Sequence, residues 1–364
     1  MFREYTDEQR KHIMDASYLY ERYILKLQEY AQNYKYSMFW HRVGEKIYLA
    51  KKKSKGAQGE ERKYLGEQNA ETTAIYNAFT ARKSALAEEL SALEHKIKTK
   101  EAINKALKLT RVPNAIVDIY RRVNELSLDG KLVLIGTNAL YCYEAHCGVF
   151  LEDSALSTID IDILSRRNKK LSFAFKELAG DKKIVEFIKS IDKSFEQNQK
   201  IPYQFINKAN VCLEIINPAP KQMRMGNTNN DYCADVMPLE MEKMEWLENS
   251  RLFKATVTAD NGKIAYITTL HPIDFAIYKN WLSKKDDRAL LKKSRDGEQS
   301  KIVTKLVLDY MTNIDTKKYI VGAKHFNNEV VADYEKNILD ILLNAREQNL
   351  QDANKWVHPA LREY

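Results

Sequence analysis

In the segment Ser157-Thr158-Ile159-Asp160-Ile161-Asp162-Ile163-Leu164, two carboxylates stand one residue apart among isoleucines. Side chains alternate along a strand, so Ile159, Ile161 and Ile163 are expected on a core face and Asp160 with Asp162 on the opposite one. Aspartate is depleted in strands, and two on one face repel each other. A divalent cation relieves that repulsion, because hard oxygen ligands at this spacing suit Mg²⁺ or Mn²⁺ bridging the phosphates of a nucleotide. The plainer alternative is a half-exposed antiparallel strand with a polar outer face. A third acid, Glu214, sits in the alternating strand Val211-Cys212-Leu213-Glu214-Ile215-Ile216. If that strand lies beside the first, three carboxylates converge and in-line phosphoryl chemistry becomes available. An exposed strand glutamate is the alternative reading.

The elements that would position these acids are legible nearby. Leu132 to Ile135 (LVLI) reads as a strand buried on both faces. It runs into Gly136-Thr137-Asn138, after which a helix is expected to begin around Ala139 and Leu140. Glycine lets backbone approach a phosphate closely, a helix N-terminus offers N–H groups to an anion, and Thr137 would add a hydroxyl donor. No GxxxxGK[ST] or GxGxxG occurs, which argues against a P-loop kinase or a Rossmann enzyme.

Upstream, Thr6 to Tyr34 reads as an amphipathic helix capped by Thr6-Asp7-Glu8. Met38–Val43 and Ile47–Ala50 read as two strands around Gly44, followed by Lys51-Lys52-Lys53-Ser54-Lys55-Gly56 and Arg62-Lys63-Tyr64-Leu65-Gly66. Such a basic hairpin with interleaved aromatics suits a nucleic-acid backbone and its bases, or is a small sheet kept soluble by lysines. From Glu71 to about Leu109, Ile75, Phe79, Leu86, Leu90, Leu93 and Ile97 trace one helical stripe, which faces the core or another subunit. Pro113 interrupts, and Ala115 to Leu126 forms a further helix. Met237, Met241, Met244 and Trp246 read as core, and a helix over 328–349 presents Val330, Tyr334, Ile338, Ile341 and Leu342 on one face.

The chain has 364 residues, 44% hydrophobic and 30% charged, with a formal charge of +8. This describes a globular protein inclined to polyanionic partners such as RNA, DNA or nucleotides. Neither a signal-like apolar stretch nor a membrane-spanning run is evident, so no membrane partner is expected. The four cysteines, Cys142, Cys147, Cys212 and Cys233, form no CxxC pair, and a cytoplasmic location is expected. Cys142, His146 and Cys147 lack the paired spacing of a structural zinc site and read as packing residues.

Buried strand, Gly-Thr turn, helix, D-x-D strand and later acidic strand together resemble the polymerase-beta-type nucleotidyltransferase superfamily. More narrowly, the chain resembles a bacterial family of nucleotidyltransferase-fold proteins of unknown substrate. The likeness runs through Phe39-Trp40, Tyr64-Leu65-Gly66, Arg111-Val112-Pro113, Ile135 to Glu144 and Asp160-Ile161-Asp162. It continues through His271-Pro272, Phe275 to Lys279, Trp281-Leu282-Ser283, Asp287-Arg288 and Lys293 to Asp296. The resemblance implies that Gly136 and Thr137 hold the triphosphate, that Asp160 and Asp162 bind metal, and that Glu214 joins them and assists the attacking hydroxyl. It implies phosphate contacts from Lys279, by analogy with toxin-type members, and a nucleotide-site role for Arg295 and Asp296. Three departures stand out: Gly-Thr-Asn replaces Gly-Gly-Ser or Gly-Ser, the third acid is Glu, and an extra loop, Cys147 to Leu156, separates Gly136 from Asp160.

The expected fold is α+β, a nucleotidyltransferase-type mixed sheet core flanked by N-terminal and C-terminal helical regions. Its expected parts are a helix and basic hairpin over 1–70, a long helix and connector over 71–130, the core over 131–260 and a helical region over 261–364. The expected activity is Mg-dependent transfer of a nucleoside monophosphate from an NTP to a hydroxyl on RNA, protein or a small molecule, releasing pyrophosphate. An inactive nucleic-acid-binding or regulatory protein on the same fold is the alternative. A homo-oligomer through the 71–109 helix and a toxin or phage-defence role are further extensions of the same reading.

Overall fold

The computed structural model describes residues 2–54, 60–156, 158, 160–166, 184–218 and 242–355. Lys55, Gly56, Ser157, Ile159, Cys233, Met237 and Met241 lie outside these residues. The fold is α+β, built on a mixed sheet with helical flanks.

Strand β1 (Arg3–Glu4) precedes helix α1 (Asp7–Asn33), which starts where the sequence places it. Thr6 Oγ1 accepts from the Gln9 N–H at 3.2 Å while Gln9 Oε1 accepts from the Thr6 N–H at 2.9 Å. This reciprocal cap satisfies two donors that a helix start leaves orphaned. The expected hairpin is present as β2 (Ser37–Val43) and β3 (Lys46–Ser54), and it gains a third strand, β4 (Glu60–Glu67). Helix α2 (Ala70–Ala106) follows, opened by the same kind of cap between Asn69 and Thr72.

The apolar stripe of α2 is used within the chain. Leu93 and Ile97 pack with Ala16, Tyr20, Tyr23 and Ile24 of α1, and with Ile264 and Tyr266 of the main sheet. Ile75, expected on that stripe, is instead 43% exposed. It lies on the turn of α2 where the partner is the small sheet rather than α1, and there Tyr76 meets Trp40 with ring centroids 5.6 Å apart.

Among the described residues the main sheet has seven strands. After α3 (Asn114–Glu125) come β5 (Leu132–Ile135), α4 (Leu140–Cys147), β6 (Val149–Phe150), α5 (Asp153–Leu156) and β7 (Asp160–Ser165). Then follow α6 (Ile184–Ile191), β8 (Glu196–Gln197), β9 (Gln204–Ile206), β10 (Cys212–Ile216), α7 (Met244–Asn249), β11 (Leu252–Thr258) and β12 (Ile264–Leu270). The spatial order is β11-β12-β5-β7-β10-β9-β8. All four residues of β5 are buried, as a central strand covered on both faces requires. The boundary expected at 260 falls inside the β11–β12 hairpin, so the sheet takes in the first strand of what reads as a helical region.

Helices α8 (Pro272–Ser283), α9 (Leu290–Tyr310), α10 (Thr316–Tyr334) and α11 (Asp340–Lys355) complete the described chain. A π-helical turn at Glu335–Leu339 joins the last two. It accounts for one departure from the expected face: Tyr334, Ile338 and Leu339 are buried, whereas Ile341 is 58% exposed. A wide turn rotates the residues beyond it off the 3.6-residue stripe. Met244 and Trp246 are core residues as expected. Among the described residues no helix is long and apolar enough to cross a membrane.

Candidate active site

The site lies where β5 ends, β7 begins and β10 runs alongside. Ile161 and Ile163 are buried, Asp160 is exposed and Asp162 is half-buried, so the strand presents its two acids on one face. β10 pairs with β7 in parallel, with Glu214 opposite Asp162 and Cys212 opposite Asp160. The adjacency required of the third acid is therefore present. On the other side β5 runs antiparallel, with Ile135 opposite Asp162. The next residue, Gly136, thus lies against the Asp162 carboxylate.

That contact explains the glycine. Gly136 has φ +69°, and a Cβ there would stand 2.2 Å from Asp162 Oδ2. Both the backbone conformation and the space exclude a side chain. Gly136→Ala is expected to cost about 1–3 kcal/mol and to displace the Asp162 carboxylate. Urea unfolding beside a transfer assay would measure both effects. Asn138 fastens the same turn from the other end, its Nδ2 donating to the Asp160 carbonyl at 2.7 Å.

Electrostatics single out Asp162. Burial first, then Glu214 and Asp160, push its carboxyl up to about 6, while Lys279 and Lys292 pull it down. The Cys212 thiol is pushed up to about 12, mainly by burial and then by Asp160. Glu214 accepts from Gln204 Nε2 at 3.1 Å through Oε1.

Lys279, on α8, is buried, and its Nζ donates to Asp296 Oδ1 at 2.7 Å. Burial lowers the lysine below its ordinary range, Arg288 and Arg295 add to that, and Asp296 opposes it. Asp296, on α9, is fully buried and also accepts from Arg288. It is expected at the nucleotide, but here it holds Lys279 and Arg288, because those cations enclose it. Thr137, expected to add a hydroxyl donor, is buried: its hydroxyl oxygen accepts from Gln299 Nε2 at 3.2 Å. The same amide donates to the Ala155 carbonyl at 2.9 Å, tying the turn to α5. Arg295 is half-buried and lines a cleft of about 400 Å³ with Leu151, Ala155, Ser294 and Gln299.

The loop from Cys147 to Leu156 is held by a cluster the sequence reading leaves without a role. Arg111 donates to both oxygens of Glu144, at 2.9 and 3.0 Å, to Asp153 Oδ1 at 2.7 Å and to the Leu151 carbonyl at 2.8 Å. Glu144 is buried and also accepts from the Leu151 N–H. The signal available was an arginine ahead of Pro113 and a glutamate on an apolar helix, which only together suggest a buried pair. Arg111→Lys keeps the charge but loses the planar fork, and is expected to cost about 1–2 kcal/mol in chemical denaturation. Cys142 and Cys147 are buried against the sheet, and burial raises the Cys147 thiol to about 12.

Could these residues hold Mg²⁺? Among the described residues, no three His, Cys, Asp or Glu side chains already converge as a closed ligand set. Mg²⁺ does not require one, since it is commonly held by one or two carboxylates with substrate phosphates completing the shell. Asp162 supplies the chemical argument: a half-buried carboxylate beside two others, its ionised form disfavoured by all three causes together. Hard oxygen donors carrying excess negative charge fit a divalent cation.

A family model described as nucleotidyltransferase matches residues 114–320, which takes in the turn, all three acids, Lys279 and Asp296. The chain belongs to this nucleotidyltransferase family, whose general role is nucleotidyl transfer. Neither curated proteins nor solved structures give a match.

Proposed function

We propose that the protein transfers a nucleoside monophosphate from an NTP to a hydroxyl acceptor, with Mg²⁺ or Mn²⁺ and with release of pyrophosphate. The observation that carries this reading is the parallel register that sets Glu214 opposite Asp162, with Gly136 closed against the same carboxylate. Asp160, Asp162 and Glu214 would hold the cation. When bound, it would offset negative charge on the triphosphate and its transition state. Gly136 admits the phosphate chain to the backbone, while Lys279, Lys292 and Arg295 approach from α8 and α9.

In the transfer, the acceptor oxygen forms its bond to the α-phosphorus, the α–β phosphoanhydride bond breaks, and the proton of the hydroxyl passes to the Glu214 carboxylate. Glu214 Oε1 is already engaged by Gln204, which fixes the side chain and leaves Oε2 to take the proton. The buried Lys279–Asp296–Arg288 cluster keeps the cationic wall rigid, so little reorganisation accompanies charge development.

The test is incubation with each α-labelled NTP, Mg²⁺ or Mn²⁺ and a cell extract, beside folded Asp160→Ala and Asp162→Ala proteins. Label on RNA, protein or a small molecule with the unaltered chain alone supports transfer and names the acceptor class. Absence of label, with no metal-dependent NTP binding by calorimetry, removes the proposal and leaves the inactive binding protein.

A further inference from the structure

Helix α9 buries three polar side chains completely between Asp296 and Ser300. Two of them fasten it to α8. Asp296 takes the Lys279 ammonium at 2.7 Å, and Ser300 Oγ donates to the Ala276 carbonyl at 2.7 Å. The third, Gln299, reaches the main sheet instead. Its Nε2 donates to Thr137 Oγ1 at 3.2 Å and to the Ala155 carbonyl at 2.9 Å. Ala155 fixes which way the amide lies, because a carbonyl can only accept. One atom is left over: Gln299 Oε1 is buried and, among the described residues, has no donor.

That oxygen argues against a role in stability. A buried acceptor without a partner destabilises a fold, and nearly all buried polar atoms avoid that state. Methionine has much the same length, suits a helix equally well and strands no oxygen. What glutamine adds is the pair of bonds to the turn and to α5. The turn has use for them. Gly136, at φ +69°, has no side chain to pin it, and the backbone closes only through the Ala139 N–H, 3.2 Å from the Gly136 carbonyl. Asn138 ties the turn to β7, and Gln299 ties it to α9. One helical turn earlier on α9, Asp296 holds Lys279. A single helix thus fixes the turn and the buried lysine relative to each other.

We propose that Gln299 is a positioning residue for the nucleotide. Acting through Thr137 and Ala155, it keeps the Gly136-Thr137 turn in register with the acids and with Lys279. The proposal rests on the transfer reading, in which that turn receives the triphosphate.

Calorimetric titration of the full chain with each NTP and Mg²⁺, beside thermal melts, tests it. Gln299→Met is expected to weaken NTP binding roughly tenfold, the equivalent of one lost hydrogen bond. Its melting temperature is expected to stay within about 2 °C, because removing the stranded oxygen offsets removing the donor. Thr137→Val takes away one of the two anchors and is expected to weaken binding about threefold. Because Gln299 acts through Thr137, the double variant is expected to bind like Gln299→Met alone. In metal-free protein without nucleotide, amide hydrogens over 136–139 are expected to exchange faster in Gln299→Met, with other segments unchanged. NTP bound as tightly by Gln299→Met as by the unaltered chain overturns the proposal, as do fully multiplicative losses in the double variant. A lowered melting temperature with faster exchange throughout also overturns it, since that marks a merely structural residue. Absence of NTP binding by the unaltered chain overturns this proposal together with the transfer reading, whereas failure at Gln299 alone leaves that reading standing.

Discussion

Asp162→Asn is expected to lose at least about a thousandfold in nucleotidyl transfer while raising the thermal stability of the metal-free protein. The two effects share a cause. The Asp162 carboxyl stands at about 6 in the folded chain against an ordinary 3.8, because burial, Glu214 and Asp160 all disfavour its charged form. A carboxyl raised on folding favours the native state only while protonated. The associated stability is complete below the unfolded value and is lost as pH rises from about 4 through about 6. Above that range the native state carries a penalty of about 2–3 kcal/mol that asparagine does not. The variant should melt about 2–4 °C higher at pH 8, with the difference shrinking to roughly a third by pH 4.5. Calorimetric scans at the two pH values check this. A variant that melts lower at pH 8 would mean that Asp162 is not opposed by its neighbours as described.

The second large effect is expected at Asp296. This carboxylate is fully buried and engages Lys279 and Arg288 together. Asp296→Asn leaves the Lys279 ammonium buried among cations, and a broken buried pair of this kind costs about 3–5 kcal/mol. Arg288 is partly exposed and can turn to solvent, whereas Lys279 cannot. The double variant Lys279→Met/Asp296→Leu is therefore expected to recover most of the lost stability, though not activity. Urea unfolding of Lys279→Met, Asp296→Leu and the double variant, beside Asp296→Asn, closes this cycle.

The alternation of Asp160 and Asp162 with isoleucines, the all-apolar β5 and the helix cap at Thr6 are local patterns, and all were legible in the sequence. The neighbourhood of Glu214 was legible only as a condition, because strand pairing across a crossover leaves no local mark. Gln299 illustrates the limit. Its amide reaches Thr137 and Ala155 from a distant helix, and nothing around it in the sequence distinguishes it from any polar helical residue. The buried partner of Thr137 was illegible for the same reason: nothing around the glycine turn announces an amide arriving from another helix. Ile341 shows a different limit, since a wide helical turn shifts the stripe without any proline or glycine to announce it.

The parallel pairing of β7 with β10 also orders events in time. The antiparallel β5–β7 pair, which unites Gly136 with both aspartates, closes a short stretch of chain. Glu214 joins only after the much longer connection to β10 has been threaded, and contacts of high sequence separation form slowly. A refolding chain would thus regain helical signal and the glycine turn before it regains its third acid. Recovery of activity should lag behind recovery of secondary structure, and a partly folded chain emerging from the ribosome would be inert towards nucleotides until its sheet is complete.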